Sequence, residues 1–138
     1  MDYNLFENSK CISAVYKDKM PNLKNIEITK MVFMPGEDAE LTVTIDTIEL
    51  PQEMPSKWLM QKANTIQIEI VFIGIENIIF DFTNGSRCDF NLINNNGLKY
   101  VCFKSNVDEK EISFNAKWIY VKQISAYTNQ TTNEEQWI

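Results

Sequence analysis

The chain has 138 residues, 44% of them hydrophobic and 23% charged, as in an ordinary globular domain, and no apolar run reaches the ~18–20 residues of a membrane helix. It has no histidine and one arginine, Arg87, which removes the commonest general base and zinc ligand, Ser-His and Cys-His nucleophile pairs, and any guanidinium cluster for phosphate. The net charge of −6 equals the six carboxylates of residues 37–53, a segment without a base, whereas a nucleic-acid binder would carry a basic stripe.

The opening stretch MDYNLFENSKC lacks the basic start and apolar run of a secretory signal, so the expected location is the cytoplasm. There Cys11, Cys88 and Cys102, isolated and without C-x-x-C spacing, read as small buried hydrophobes. Leu5, Phe6, Ile12, Val15 and Tyr16 share one helical face and predict a helix over 3–17, with a short strand at 11–16 as the competing reading. Pro21 lies beyond its end. Ile26, Ile28 and Val32 alternate with Glu27, Thr29 and Met31, predicting a strand over 25–33. Pro35-Gly36 is a turn pair, and Leu41, Val43 and Ile45 against Thr42, Thr44 and Asp46 complete a hairpin. Pro51 and Pro55 interrupt the pattern and allow a short helix over 56–62, where Trp58, Leu59 and Met60 pack on a sheet edge or on a partner.

Residues 65–82 are the hydrophobic middle of the chain. Ile66, Ile68, Ile70 and Phe72 predict an inward face, and beyond Gly74 the alternation resumes with Ile78, Phe80 and Phe82 inward. Val71, Ile73 and Ile75 break the pattern and suggest cover on both faces. A glycine here marks a bend or a bulge, so the segment is two strands or one bent strand. Asn84-Gly85 and Asn94-Asn95-Asn96-Gly97 match positive-φ turns between antiparallel strands and bracket a strand at Cys88–Ile93. Leu98, Tyr100 and Cys102 continue the meander. The last strand places Ile112, Phe114, Ala116, Trp118 and Tyr120 on one face. The fold expected is mainly β (α+β): about seven mostly antiparallel strands in a curved sheet or sandwich, one N-terminal helix and the short helix near 56–62. It forms a single domain over 1–138, with a polar tail, 128–138, that frays unless Trp137 and Ile138 dock.

Candidate sites are few. Glu37, Asp38 and Glu40, with Glu49 and Glu53, form either a solvated turn beside an edge strand or an acidic face for a basic partner; a metal site would need the ligand spacing and glycine of a calcium loop, which are missing. Trp58 is a candidate apolar anchor at the rim of such a face. Trp118 and Tyr120 could instead surround a small-ligand or carbohydrate cavity, though aromatics on an alternating strand more often fill a core. No phosphate loop, nucleophile elbow or acid/base pair is present, so neither an enzyme, a cofactor nor a metal is expected.

The order of these segments resembles a bacterial immunity-protein family, immunity protein 50. The family's hallmark segment, Pro-Ser-Phe-His-Asp-Ala-Glu-Val, is matched here by Pro21-Asn22-Leu23-Lys24-Asn25-Ile26-Glu27-Ile28, with Pro21 and Glu27 identical. Leu23, Lys24 and Asn25 stand where the family has Phe, His and Asp. The stretch Phe72-Ile73-Gly74-Ile75-Glu76-Asn77 followed by Ile78–Phe82 is similar to the family's central strand, and Phe114 through Tyr127 to its closing strand. The resemblance implies a cytoplasmic, non-enzymatic protein that binds and neutralises a cognate toxin. It also makes Gly74 a fixed bend between strands. An exposed strand edge would leave a homo-oligomer open as well.

Overall fold

The computed structural model describes residues 1–129, and these contain two four-stranded antiparallel sheets packed as a sandwich. In the first sheet β1 (Glu27–Met34), β2 (Glu40–Thr47), β3 (Thr65–Ile73) and β8 (Trp118–Tyr127) lie in that order. In the second the order is β4 (Glu76–Asp81), β7 (Glu111–Ala116), β6 (Leu98–Ser105) and β5 (Cys88–Asn95). A helix α1 (Lys10–Tyr16) precedes the sheets, and α2 (Ser56–Met60) sits between β2 and β3. The expected behaviour of the tail, including docking by Trp137 and Ile138, falls on residues outside the described ones.

Alternation set the interior of β2 and β3 correctly. Leu41, Val43 and Ile45 in β2, and Ile66, Ile68, Ile70 and Phe72 in β3, are buried. Phe72 is the keystone between layers: its ring meets Phe114 at 5.0 Å, Phe90 at 6.2 Å and Phe103 at 6.3 Å, all edge-on and all from the second sheet. Such pairs add roughly 0.5–1.5 kcal/mol each beyond area burial. One apolar cluster draws on both sheets, α1 and the segment before β1.

The two sheets are joined by a ribbon that passes from one to the other. β3 pairs with β8 up to Ile73 opposite Trp118, and β4 pairs with β7 from Glu76 opposite Asn115. Both strands of the ribbon therefore turn at one point, Gly74 on one and Lys117 on the other. Gly74 has φ +73°, a left-handed conformation that costs a side-chain-bearing residue energy. The bend expected at this glycine is thus a change of sheet.

That change overturns three expectations. First, every residue of β4 is exposed, Phe80 at 64%, because β4 is an edge strand and not the middle of a sheet. Phe80 is paired with Ile112 and so shares its face, but the sheet opposite leaves that face open. Second, Trp118 and Tyr120 are on the solvent side while Ile119 and Val121 are buried, since crossing at Lys117 inverts the alternation. Third, Asn84-Gly85 does not make a hairpin: it carries the chain from β4 to β5, which are opposite edges of the second sheet. Asn96-Gly97, both at positive φ, is the hairpin turn that was expected.

Smaller corrections have local causes. The helix expected over 3–17 is a 3-10 turn at Tyr3–Leu5 followed by α1, because the chain between them runs along the edge of β8. The Glu7 amide donates to the Ile119 carbonyl at 2.8 Å, and the Asn8 side-chain amide both donates to the Val121 carbonyl at 2.9 Å and accepts from its N–H at 2.7 Å. In β1 a register shift between Ile28 and Lys30 moves the inward phase, so Met31 packs on the core and Val32 faces solvent. Leu59 and Met60 of α2 are exposed, and only Trp58 packs against the core. Cys88 is buried, Cys102 half-buried and Cys11 exposed, all free thiols.

Candidate functional site

The register of the first sheet builds a surface that no single strand reveals. Val32 lies opposite Thr42, Thr42 opposite Val71 and Val71 opposite Tyr120; beside that row Met34 lies opposite Glu40, Glu40 opposite Ile73 and Ile73 opposite Trp118. Directly paired residues share a face, and the inner one is taken by Leu41, Val43 and Ile45. Both rows therefore face outward. Met34 is 60% exposed, Trp118 41% and Tyr120 38%, so the rows are apolar on β1, β3 and β8 and are crossed by Thr42 and Glu40 on β2. Large exposed apolar patches on a folded domain mark interaction sites.

The acidic hairpin between β1 and β2 forms one rim of this surface. Asp38 approaches Lys117 at 3.9 Å, and the Lys117 ammonium stands 5.9 Å from the Trp118 ring centroid. Glu37 and Glu40 make no ion pair among the described residues. On the same face Glu69 and Lys122 pair at 3.4 Å, and Lys30, Val32, Met34, Thr42, Thr44 and these two line a shallow cleft of about 180 Å³.

The remaining acidic candidates are elsewhere. β2 separates Glu37, Asp38 and Glu40 from Glu49 and Glu53 by eight residues of extended chain, about 25 Å. Asp46, the carboxylate within the strand, is buried and accepts from Gln67 Nε2 at 3.0 Å and from the Tyr127 hydroxyl. Burial, with that carboxylate beside it, raises the Tyr127 pKa above its ordinary range. The carboxylate of Glu49 accepts the Asn22 amide at 2.9 and 3.1 Å and its carbonyl accepts the Tyr16 hydroxyl at 2.6 Å, so it ties the N-terminal segment to the sheet. Glu53, exposed, is 3.9 Å from Lys17. Trp58, half-buried on α2, belongs to this second end.

The hallmark-like positions form a structural corner. Pro21 accepts from the Tyr3 hydroxyl, and Leu23 is buried with its carbonyl accepting from Phe90 N at 3.0 Å. Leu23 and Asn25 both have positive φ, +56° and +54°. Asn25 donates its amide to Asp89 at 2.9 Å and accepts from Asn106 Nδ2 at 3.0 Å and Arg87 at 3.3 Å. An asparagine suits that left-handed position. Lys24 is exposed, and Glu27 lies 4.0 Å from Arg87 at the mouth of a polar cleft of about 150 Å³. Among the described residues no group of three or more cysteine, aspartate and glutamate side chains is placed to hold a metal ion.

Val32, Met34, Val71 and Ile73 were not among the expected site residues. Their signal was present in part: Val71 and Ile73 broke the alternation and suggested cover on both faces. Val71 and Ile73 are half-buried on the outer side by their neighbours in the rows, with no second layer over them among the described residues.

The family model for immunity protein 50 matches residues 8–127. Comparisons with curated proteins and with solved structures find no match.

Proposed function

We infer function from one premise: this chain belongs to the immunity protein 50 family. Membership implies toxin neutralisation, and immunity proteins generally work without chemistry of their own. The reading we propose is that the outer face of the first sheet binds a cognate bacterial toxin by surface complementarity, in the cytoplasm of the producing cell. The observation that carries it is the pair of outward rows, the second of which borders the acidic hairpin at Met34 and Glu40.

Trp118 and Tyr120, at the β8 end of the rows, are the anchors, since large aromatic residues carry a disproportionate share of contact energy. Glu37, Asp38 and Glu40 then meet a basic rim on the toxin, raising the association rate and setting register. Glu49, Glu53 and Trp58, at the other end of β2, lie outside this contact. A small-ligand reading had Trp118 and Tyr120 around a cavity; both face solvent instead.

The test screens the products of the genes adjoining this one for a toxin that the protein binds, and measures that binding by calorimetry with wild type, Trp118→Ala and Tyr120→Ala. Each substitution should weaken binding by about 2 kcal/mol or more, as anchors do. Wild-type affinity in both would remove the outer face from the interface.

A further inference from the structure

The sandwich has two seams where the edges of its sheets approach one another, and they are treated differently. At the seam between β8 and β5 the N-terminal segment fills the gap: Glu7 and Asn8 bond to β8, the Leu23 carbonyl accepts from Phe90, and the Phe6 ring meets Phe90 at 6.5 Å. At the seam between β1 and β4 no such filler exists among the described residues. β1 and β4 come together at its two ends. The amides of Gly74 and Ile75 bond to Ala39, which fixes the start of β4 beside the hairpin. At the other end Phe80 and Phe82 line a cleft of about 210 Å³ with Ile28 and Met31.

Among the described residues β1 pairs only with β2 along its length, so within these its other edge presents unpaired backbone groups. Val32, Phe33 and Met34 on β1 and Ile78, Ile79 and Phe80 on β4 are all exposed. Val32 and Met34 belong to the outer face, which leaves Phe33, opposite the buried Leu41, with Ile78, Ile79 and Phe80; at roughly 100 Å² each they offer about 400 Å² per molecule, or about 800 Å² for a symmetrical pair before the paired backbone of β1 is added. β4 is a poor pairing edge, because its register shifts between Glu76 and Ile79 and Asn77 is left-handed. β1 is regular from Lys30 to Met34.

We propose that a second copy of this chain closes the seam, with β1 pairing antiparallel to β1 of the second copy about Val32. That register keeps faces matched, setting Met31 against Phe33 of the second copy and Lys30 against Met34 of the second copy. Because Met34 is itself opposite Glu40, Lys30 falls in line with Glu40 of the second copy, near the acidic hairpin. Lys30, Glu37 and Glu40 make no ion pair within the chain among the described residues. Lys30 on β1 and Glu40 on the neighbouring strand are thus the complementary charges that this antiparallel register brings into line. The two first sheets fuse into one of eight strands, and the outer face stays open.

Sedimentation equilibrium of the full chain, alone, from about 1 μM to about 1 mM covers the affinities expected of such an interface. The expected result is a monomer–dimer equilibrium that Val32→Asp abolishes. Lys30→Glu and Glu40→Lys should each raise the dimer Kd by about tenfold at low salt, and the double reversal should restore it. A monomer throughout, or a dimer that Val32→Asp and Lys30→Glu leave unchanged, overturns the proposal. Single reversals that weaken the dimer without mutual rescue overturn the register about Val32. Circular dichroism checks that Val32→Asp folds; should it not, the charge pair carries the test. No toxin is present, so the outcome is independent of the immunity reading.

Discussion

Lys117 packs its side chain into the space that Gly74 leaves by having no Cβ: an atom there would stand 2.8 Å from Lys117 Cδ and 3.0 Å from its Cβ. The two residues are where both strands of the ribbon change sheet. Gly74→Ala meets two penalties, the contact and the φ of +73°. We expect a loss of about 1–3 kcal/mol by urea unfolding. Adding Lys117→Ala should recover only part of it, because the φ strain and the contact with Cβ remain.

The same crossing separates two phenylalanines that look alike in the sequence. Phe72 is fully buried among three rings, whereas Phe80 is 64% exposed on an edge. Phe72→Ala should cost about 3–5 kcal/mol, and Phe80→Ala less than about 1 kcal/mol. A matched pair of denaturation curves distinguishes them. Equal losses would place β4 inside the sandwich.

These residues mark how far the sequence could be read. Period-2 alternation reports which residues share a face, and in β2 and β3 that was enough to name the core. It carries no information on which sheet a strand joins, so its phase failed at Gly74 and again at Lys117, where Trp118 and Tyr120 turned outward. The candidate site was less legible. The acidic run is continuous in sequence, but an extended strand through its middle carries its two halves to opposite ends. The outward rows depend on register between β1, β2, β3 and β8, strands as far apart as Val32 and Tyr120, which local patterns do not encode.

The acidic hairpin makes a kinetic prediction. Reversing Glu37, Asp38 and Glu40 to Lys should slow association with the cognate toxin about tenfold or more at low ionic strength, with the difference shrinking as salt screens the charges. Stopped-flow measurements across a salt series read this directly. Glu53→Lys, at the other end of β2, should leave the rate near wild type. Glu49→Lys should act on stability instead, since it removes the acceptor for the Asn22 amide. Unchanged kinetics in the triple variant would separate the hairpin from the interface.

Alkaline pH should unfold the domain by a route its buried groups define. Burial, with Asp89 nearby, pushes the Cys88 thiol up to about 12 from an ordinary 9.0, and burial and the hydrogen bond to Glu111 do the same for Cys102. Burial also raises Tyr3, Tyr16 and Tyr127 above their ordinary 10.0, with Glu49 adding to the first two and Asp46 to the third. In each case the folded state holds its proton more tightly than the unfolded chain. Their contribution is therefore complete below about pH 9 and is lost as pH rises from there through the folded values. The urea midpoint should be insensitive to these groups between pH 7 and 8.5 and fall steeply above about pH 9.5. Thiol labelling at pH 8 gives an independent reading, since it needs thiolate. Exposed Cys11 should react in the native protein, and Cys88 and Cys102 only after denaturation. Fast native labelling of all three, or a midpoint unchanged to about pH 11, would mean that these side chains are not held in the interior.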